Sequence, residues 1–75
     1  MKNFNTIKEL AKFVVGSKVA IIDSITGKIS YEGVIVALAK HAEFNKRYNR
    51  FERPAVIKIN GGVRCNCLGT ALLIK

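Results

Sequence analysis

The Asn60-Gly61 step constrains the fold of this chain more than any other local feature, because Asn-Gly is the strongest short-range signal for a β-hairpin. The segments on either side, residues 55–59 and 63–67, carry β-branched residues, and apolar and polar side chains alternate in residues 57–59 and 63–67. We therefore expect them to pair as antiparallel strands around Asn60-Gly61-Gly62. Alternation predicts a buried face made of Ile57, Ile59, Val63, Cys65 and Cys67, and a solvent face made of Lys58, Arg64 and Asn66.

Three further segments have the pattern of strands. From residue 17 to residue 22 the period is two and β-branched residues are frequent, and residues 23–28 then form a turn. Residues 29–38 form a long strand that bends at Gly33 and is apolar on both faces in its second half. Residues 71–74 form a last apolar strand. A long bent strand shared by two sheets is typical of small barrels, so we expect a strongly bent, five-stranded antiparallel barrel.

A short amphipathic helix is expected within residues 1–16. Thr6 and Glu9 have the spacing of a capping box, and Gly16 stands where a helix ends. Side chains at three- and four-residue steps are predicted to face the core: Ile7, Leu10, Ala11 and Val14.

The length of the chain limits what it can contain. Its 75 residues suffice for one small domain, residues 1–75, and leave no room for a cofactor-binding fold. Because 49% of the residues are apolar, the composition excludes a disordered tail. A domain of this size is marginally stable, which leaves open a contribution from a partner subunit or a ligand.

Residues 40–54, between the second and third strands, form an insertion too long for an ordinary hairpin loop. Its ring-bearing side chains follow the spacing of one helical stripe: His41, Phe44, Tyr48 and Phe51. Its basic side chains fall mostly on the other side: Lys46, Arg47, Arg50 and Arg53. Pro54 ends the segment, because a proline disfavours helical backbone at the residue before it. We therefore expect a basic helical insertion or an ordered loop.

Two interpretations of the aromatic stripe remain open. In one, the rings pack the insertion onto the barrel, and the basic side chains form either a plain solvated face or a fixed cationic ridge suited to phosphates. In the other, Tyr48 or Phe51 is exposed and stacks on unpaired bases between the arginines. The exposure of these two rings separates the interpretations.

The order of elements resembles that of the SH3-like small β-barrel. The matching glycines are Gly16 before strand one, Gly27 at the turn and Gly33 in strand two, as in KOW-type and Sm-type barrels. The segment from Leu68 to Ile74 is similar to the end of the Sm fold. The resemblance implies a mainly β fold with short helices, in a barrel often used to bind nucleic acid or peptides. It transfers no RNA-binding residue to this chain.

Thirteen basic against five acidic residues leave a net charge of +8, which attracts polyanions. One hypothesis is a non-catalytic protein that binds DNA or RNA through a basic ridge on the barrel. Its expected nucleic-acid-binding residues are Lys46, Arg47, Tyr48, Arg50, Arg53, Lys58 and Arg64. The alternative is a small protein-interaction module, such as a phage or mobile-element regulator or inhibitor that docks on an acidic surface of a larger host enzyme. Homo-oligomerisation through edge strands is compatible with both.

The sequence offers no catalytic constellation. Its carboxylates are scattered, and no serine or cysteine lies in a nucleophile motif, so we expect neither enzyme activity nor a cofactor. Cys65, Cys67 and His41 lack zinc-finger spacing, which predicts inert buried thiols and no metal. Two cysteines without a signal segment indicate the cytoplasm. No apolar run approaches the roughly 20 residues of a membrane-spanning helix.

Overall fold

The computed structural model describes residues 4–74 as a mainly β structure built on a five-stranded antiparallel sheet. In chain order the elements are α1 (Ile7–Leu10), β1 (Lys18–Ile22), β2 (Ile29–Leu38), β3 (Glu43–Asn45), β4 (Arg50–Glu52), β5 (Pro54–Ile59), β6 (Gly62–Cys67), a 3-10 turn (Leu68–Thr70) and β7 (Ala71–Ile74). Within residues 4–74, no helix has the length and apolar character needed to cross a membrane.

The five-stranded sheet has the order β6-β5-β2-β1-β7, and each neighbouring pair is antiparallel. These five strands are the ones that the sequence predicts, but they do not close into the predicted barrel. β6 and β7 are the two edges, and no ladder joins them within the described part of the chain. The 3-10 turn Leu68–Thr70, which packs against β1 and β4, carries the chain from one edge to the other. The sheet therefore stays open between β6 and β7.

The core lies mainly against one face of this sheet. Its buried side chains are Leu10, Phe13, Val19, Ile21, Ile35, Ala55, Ile57, Leu68 and Ala71. Gly33 of β2 lies against β5 with no room for a side chain, because a Cβ there would collide with the Lys58 carbonyl oxygen and the Ile57 side chain. The glycine of the long strand is thus required by packing.

Helix α1 is much shorter than the predicted helix. The predicted capping box is present: the Glu9 amide donates to Thr6 Oγ1, and the Thr6 amide donates to Glu9 Oε1. The helix ends after Leu10, the one fully buried side chain of the helix, whereas Ile7 and Val14, expected in the core, are exposed. A helix this short gains little stability from helix propensity, so it depends on packing. Leu10 supplies that packing, because it is the residue of α1 that is buried in the core.

The insertion is a β-hairpin and not the predicted helix. β3 pairs with β4, which places Phe44 opposite Phe51 with their rings 5.0 Å apart in an edge-to-face arrangement. The turn is set by Asn45, whose Oδ1 accepts the amides of two following residues, and by Asn49, which has a positive φ of 53°. Asparagine favours both features, since it forms side-chain turns and tolerates left-handed backbone. The seven-residue spacing of the two phenylalanines fits a helical stripe as well as this cross-strand pair.

The β5–β6 hairpin is present as predicted, with a different register. Its turn contains two residues, Asn60 and Gly61, so that Ile59 pairs with Gly62. The prediction placed a three-residue turn here, and a shift of one residue moves every β6 side chain to the opposite face. Arg64 consequently lies opposite Ile57, on the face that carries the core. The predicted division of this hairpin into two faces is therefore wrong.

Candidate functional site

The turn of the β3–β4 hairpin presents four consecutive exposed residues, which we call the hairpin tip: Lys46, Arg47, Tyr48 and Asn49. Asn45 Oδ1 accepts hydrogen bonds from the backbone amides of Arg47 at 3.0 Å and Tyr48 at 3.4 Å. The backbone of the tip is therefore held locally, while its long side chains extend into solvent.

Tyr48 is the exposed aromatic residue of the hairpin tip. Its side chain is 54% exposed, although two guanidinium groups contact its ring. The Cζ atoms of Arg50 and Arg47 lie 5.1 Å and 5.8 Å from the ring centroid, which is within range of a cation–π interaction. Phe51 is different, because it is half-buried and packs against the core. Base stacking requires an exposed ring. Tyr48 is exposed to a ligand, whereas Phe51 is largely a packing residue.

Arg50 is held from within the protein. Its Nε lies 3.1 Å from Oε1 of Glu52, a carboxylate that is only 7% exposed, and its guanidinium also covers the Phe4 ring at 4.7 Å. Asn45 Nδ2 donates to the other oxygen of Glu52 at 3.3 Å. Because a buried carboxylate without partners is strongly destabilising, Arg50 and Asn45 are needed to compensate Glu52. Arg50 thus positions Tyr48 and has little free charge to offer.

Arg53 is engaged by backbone carbonyl groups. Its Nε donates to Ala39 at 2.7 Å, and its Nη2 donates to Lys40 at 3.4 Å. Its Nη1 donates to Leu10 at 2.9 Å and to Phe13 at 3.2 Å. A single guanidinium therefore joins the end of α1 to the segment between β2 and β3. These contacts give Arg53 a structural role and leave it outside the hairpin tip.

A second cluster, the Tyr31 cluster, consists of Tyr31, Arg64 and Asn66. The Arg64 Cζ lies 4.9 Å from the Tyr31 ring centroid, and Asn66 Nδ2 donates to the Tyr31 hydroxyl at 2.6 Å. Arg64 is exposed. Lys58 is also exposed but lies opposite Val34 and Val63, on the other face of the sheet. The structure therefore does not form the predicted stripe in which Lys58 and Arg64 share one face.

The two cysteines lie on the face opposite the core, contrary to the prediction. Cys65 is exposed and Cys67 is half-buried. Burial raises the pKa of the Cys67 thiol, Glu52 raises it further, and Arg50 opposes the shift. Cys67 is thus a thiol rather than a thiolate at neutral pH. No group of three His, Cys, Asp or Glu side chains in the described part of the chain is arranged to hold a metal ion.

An open groove runs beside β6, and no charged side chain lines it. It has an open volume of about 450 Å³ and is lined by apolar and small residues, including Leu38, Pro54, Val56 and Cys65. Its one polar side chain other than the thiols is the Asn66 amide. The groove therefore brings no acid, base or activated nucleophile together.

Sequence reasoning identified Lys46, Arg47 and Tyr48, which the structure brings together at one exposed turn. It did not find the contact of Tyr31 with Asn66, because that pairing depends on strand order and on the register of β6. No protein-family model matches the chain, and no curated protein or solved structure is significantly similar to it.

Proposed function

We propose that this protein binds nucleic acid without catalysing a reaction, and that the hairpin tip makes the principal contact. Lys46 and Arg47 neutralise backbone phosphates, and Tyr48 stacks on a base. The observation that supports this most is the exposed Tyr48 ring beside cationic side chains on a molecule of net charge +8. An exposed ring interleaved with basic residues is what sequence-tolerant binding of nucleic acid uses.

The cations of the tip are available to a ligand. Within residues 4–74, neither Lys46 nor Arg47 forms an ion pair with a carboxylate, whereas Arg50 does. Each phosphate they neutralise releases condensed counterions, which makes binding weaken with added salt. The Tyr48 ring adds about 1–3 kcal/mol if it stacks on one base, by analogy with aromatic stacking platforms. The affinity is therefore mainly electrostatic, with little preference for sequence.

The test is a fluorescence anisotropy titration of the protein into labelled single- and double-stranded DNA and RNA at about 50 mM and about 200 mM salt. A double variant, Lys46→Glu with Arg47→Glu, removes the cations of the tip. The matched control is Lys18→Glu with Lys58→Glu, which changes the net charge by the same amount. Both lysines are exposed and lie on the face of the five-stranded sheet that does not carry the core. We expect the tip variant to lose binding and the control to lose much less.

Equal losses in both variants would show that the protein responds to total charge and has no site at the tip. Absence of binding at the lower salt concentration would refute the proposal. If the protein binds no nucleic acid, the alternative is that the cations of the tip bind an acidic protein surface. The tip variant and its matched control would then be compared for binding to a defined acidic protein.

A Tyr48 variant separates stacking from charge. Tyr48→Ala removes the ring and leaves the net charge unchanged, while Tyr48→Phe keeps the ring and removes only the hydroxyl. We expect Tyr48→Ala to weaken binding of unpaired strands by roughly five- to 150-fold, and Tyr48→Phe to bind like the wild type. Equal binding by Tyr48→Ala and the wild type would remove stacking from the proposal.

A further inference from the structure

We infer that the Tyr31 cluster is a second phosphate-binding subsite for the same nucleic acid, with Arg64 as its cation and the Tyr31 hydroxyl as its second donor. This inference rests on the proposed function and extends it from one contact point to two. The cluster differs from the hairpin tip in the exposure of its ring, because Tyr31 is half-buried whereas Tyr48 is 54% exposed, although guanidinium groups lie over both rings.

The geometry of Arg64 favours an anion with several acceptor oxygens. A guanidinium that stacks over a ring keeps its N–H groups in its own plane, pointing away from the ring. The Arg64 side chain donates no hydrogen bond and makes no ion pair within residues 4–74. The Arg64 guanidinium thus lies over the Tyr31 ring with its side-chain donors unused, and a free guanidinium fork is what bidentate phosphate recognition requires.

The hydroxyl of Tyr31 is oriented by its neighbour. Asn66 Nδ2 donates to the Tyr31 oxygen at 2.6 Å, so that oxygen acts as an acceptor in this contact and its own proton is free to be donated. The register places Tyr31 opposite Ile21 and Asn66 opposite Ala55, both on the face that carries the core. Glu32 follows Tyr31 on the strand and therefore points to the opposite face, away from a bound anion.

The Tyr31 cluster is connected to the hairpin tip through the end of β6. Asn66 lies two residues before Leu68, where the 3-10 turn begins, and that turn packs against β4. A Cβ on Gly69 would lie 2.9 Å from Oε1 of Glu52, the same oxygen that holds Arg50 beside Tyr48. The longest principal-axis extent of the molecule is 31 Å, and an oligonucleotide of about 12 residues, which covers ~40 Å even at the duplex rise of ~3.4 Å per phosphate, is long enough to reach both points.

The test measures the salt dependence of binding for an unstructured single strand of about 12 nucleotides, where each phosphate contact contributes ~0.7 to the slope of log affinity against log salt. Arg64→Gln removes the cation, and Arg64→Lys keeps the charge while losing the planar fork. We expect Arg64→Gln to reduce the magnitude of the slope by about 0.7 and the affinity at low salt several-fold. Arg64→Lys should keep the slope and bind with intermediate affinity. Tyr31→Phe should lower the affinity and leave the slope unchanged.

Inorganic phosphate and the oligonucleotide are compared by NMR, with the Asn66 side-chain amide and the Arg64 Nε–H as reporters. Both ligands should shift these signals, and the oligonucleotide should do so at much lower concentration. If inorganic phosphate shifts these NMR signals and the oligonucleotide does not, the inference is overturned and the cluster is a site for the free ion.

The outcomes also separate this inference from the proposed function. Wild-type affinity and slope in Arg64→Gln, with binding abolished by the tip variant, would overturn the second subsite and leave the proposed function standing. Absence of oligonucleotide binding by the wild type would overturn both. Because Arg64 is exposed, unchanged circular dichroism and thermal unfolding of Arg64→Gln are the expected check that the fold is intact.

Discussion

Arg53 shows that a basic side chain in a basic segment can serve the fold. Its guanidinium donates to four carbonyl oxygens, and no carboxylate among the described residues pairs with it. Arg50 is similarly engaged by Glu52. Of the five basic side chains of the insertion, Lys40, Lys46 and Arg47 thus have no side-chain hydrogen-bond acceptor or carboxylate partner within residues 4–74. Two of these three free cations, Lys46 and Arg47, lie at the hairpin tip.

Replacement of Arg53 should therefore lower stability much more than it lowers binding. Arg53→Ala leaves part-buried carbonyl groups of α1 and of the β2–β3 segment without donors, and we expect a loss of roughly 2–4 kcal/mol in the free energy of unfolding. Lys46→Ala, at an exposed position, should change stability by no more than about 0.5 kcal/mol. Urea denaturation measures both. Equal stability of the two variants would contradict the structural role of Arg53.

The raised pKa of Cys67 gives stability a defined dependence on pH. The folded protein holds the thiol proton more tightly than the unfolded chain does, because the thiolate is disfavoured by burial and by Glu52. This contribution is fully present below the pKa of an unfolded thiol, about 8.5, and is lost as the pH rises through the folded value. The urea midpoint should therefore fall less steeply above about pH 8.5 in Cys67→Ala than in the wild type.

The matched control for this pH dependence is Cys65→Ala, which removes the exposed thiol and keeps Cys67. It should follow the wild-type pH profile in reducing buffer. A Cys67→Ala profile parallel to that of the wild type would contradict the assignment. Cys65 should also react first with a thiol reagent near pH 8, because it is exposed and Cys67 is half-buried.

At the scale of elements, the β3–β4 hairpin is the segment on which the proposed function depends. Asn49 takes a left-handed conformation at φ 53°, which costs a β-branched residue about 1–2 kcal/mol. We expect Asn49→Val to destabilise the hairpin by roughly that amount and Asn49→Gly to be close to neutral. Hydrogen exchange of the amides of β3 and β4 reports the change locally. Greater loss of protection in Asn49→Gly than in Asn49→Val would contradict this account of the turn.

The sequence predicts the five main strands, the capping box and the β5–β6 hairpin, because each depends on local patterns. Prediction from sequence is wrong where the same residue spacing is compatible with two different structures. Phe44 and Phe51 are seven residues apart, which is two turns of a helix and also a cross-strand pair around the six residues between them. The turn at Asn60 contains two residues instead of three, and this difference alone moves Arg64 to the other face. The Tyr31 cluster follows from that register, so local reasoning could not find it.

At the scale of the whole molecule, the open sheet leaves two edge strands with backbone groups that no other described strand pairs. Such edges are sites where a second chain can add a strand. The net charge of +8 acts against this, because copies of the protein repel one another over a Debye length, about 10 Å at 0.1 M salt. The net charge therefore opposes pairing of edge strands between free copies of the protein.

Amide hydrogen exchange tests this view of the molecule. The amides of β2, which lies between β1 and β5, should exchange only through nearly global unfolding, and the outward amides of β6 and β7 should exchange rapidly. Because repulsion opposes association, these edge amides should remain unprotected when the protein is concentrated at low salt. Edge protection that increases with concentration would show instead that a second copy pairs with β6 or β7.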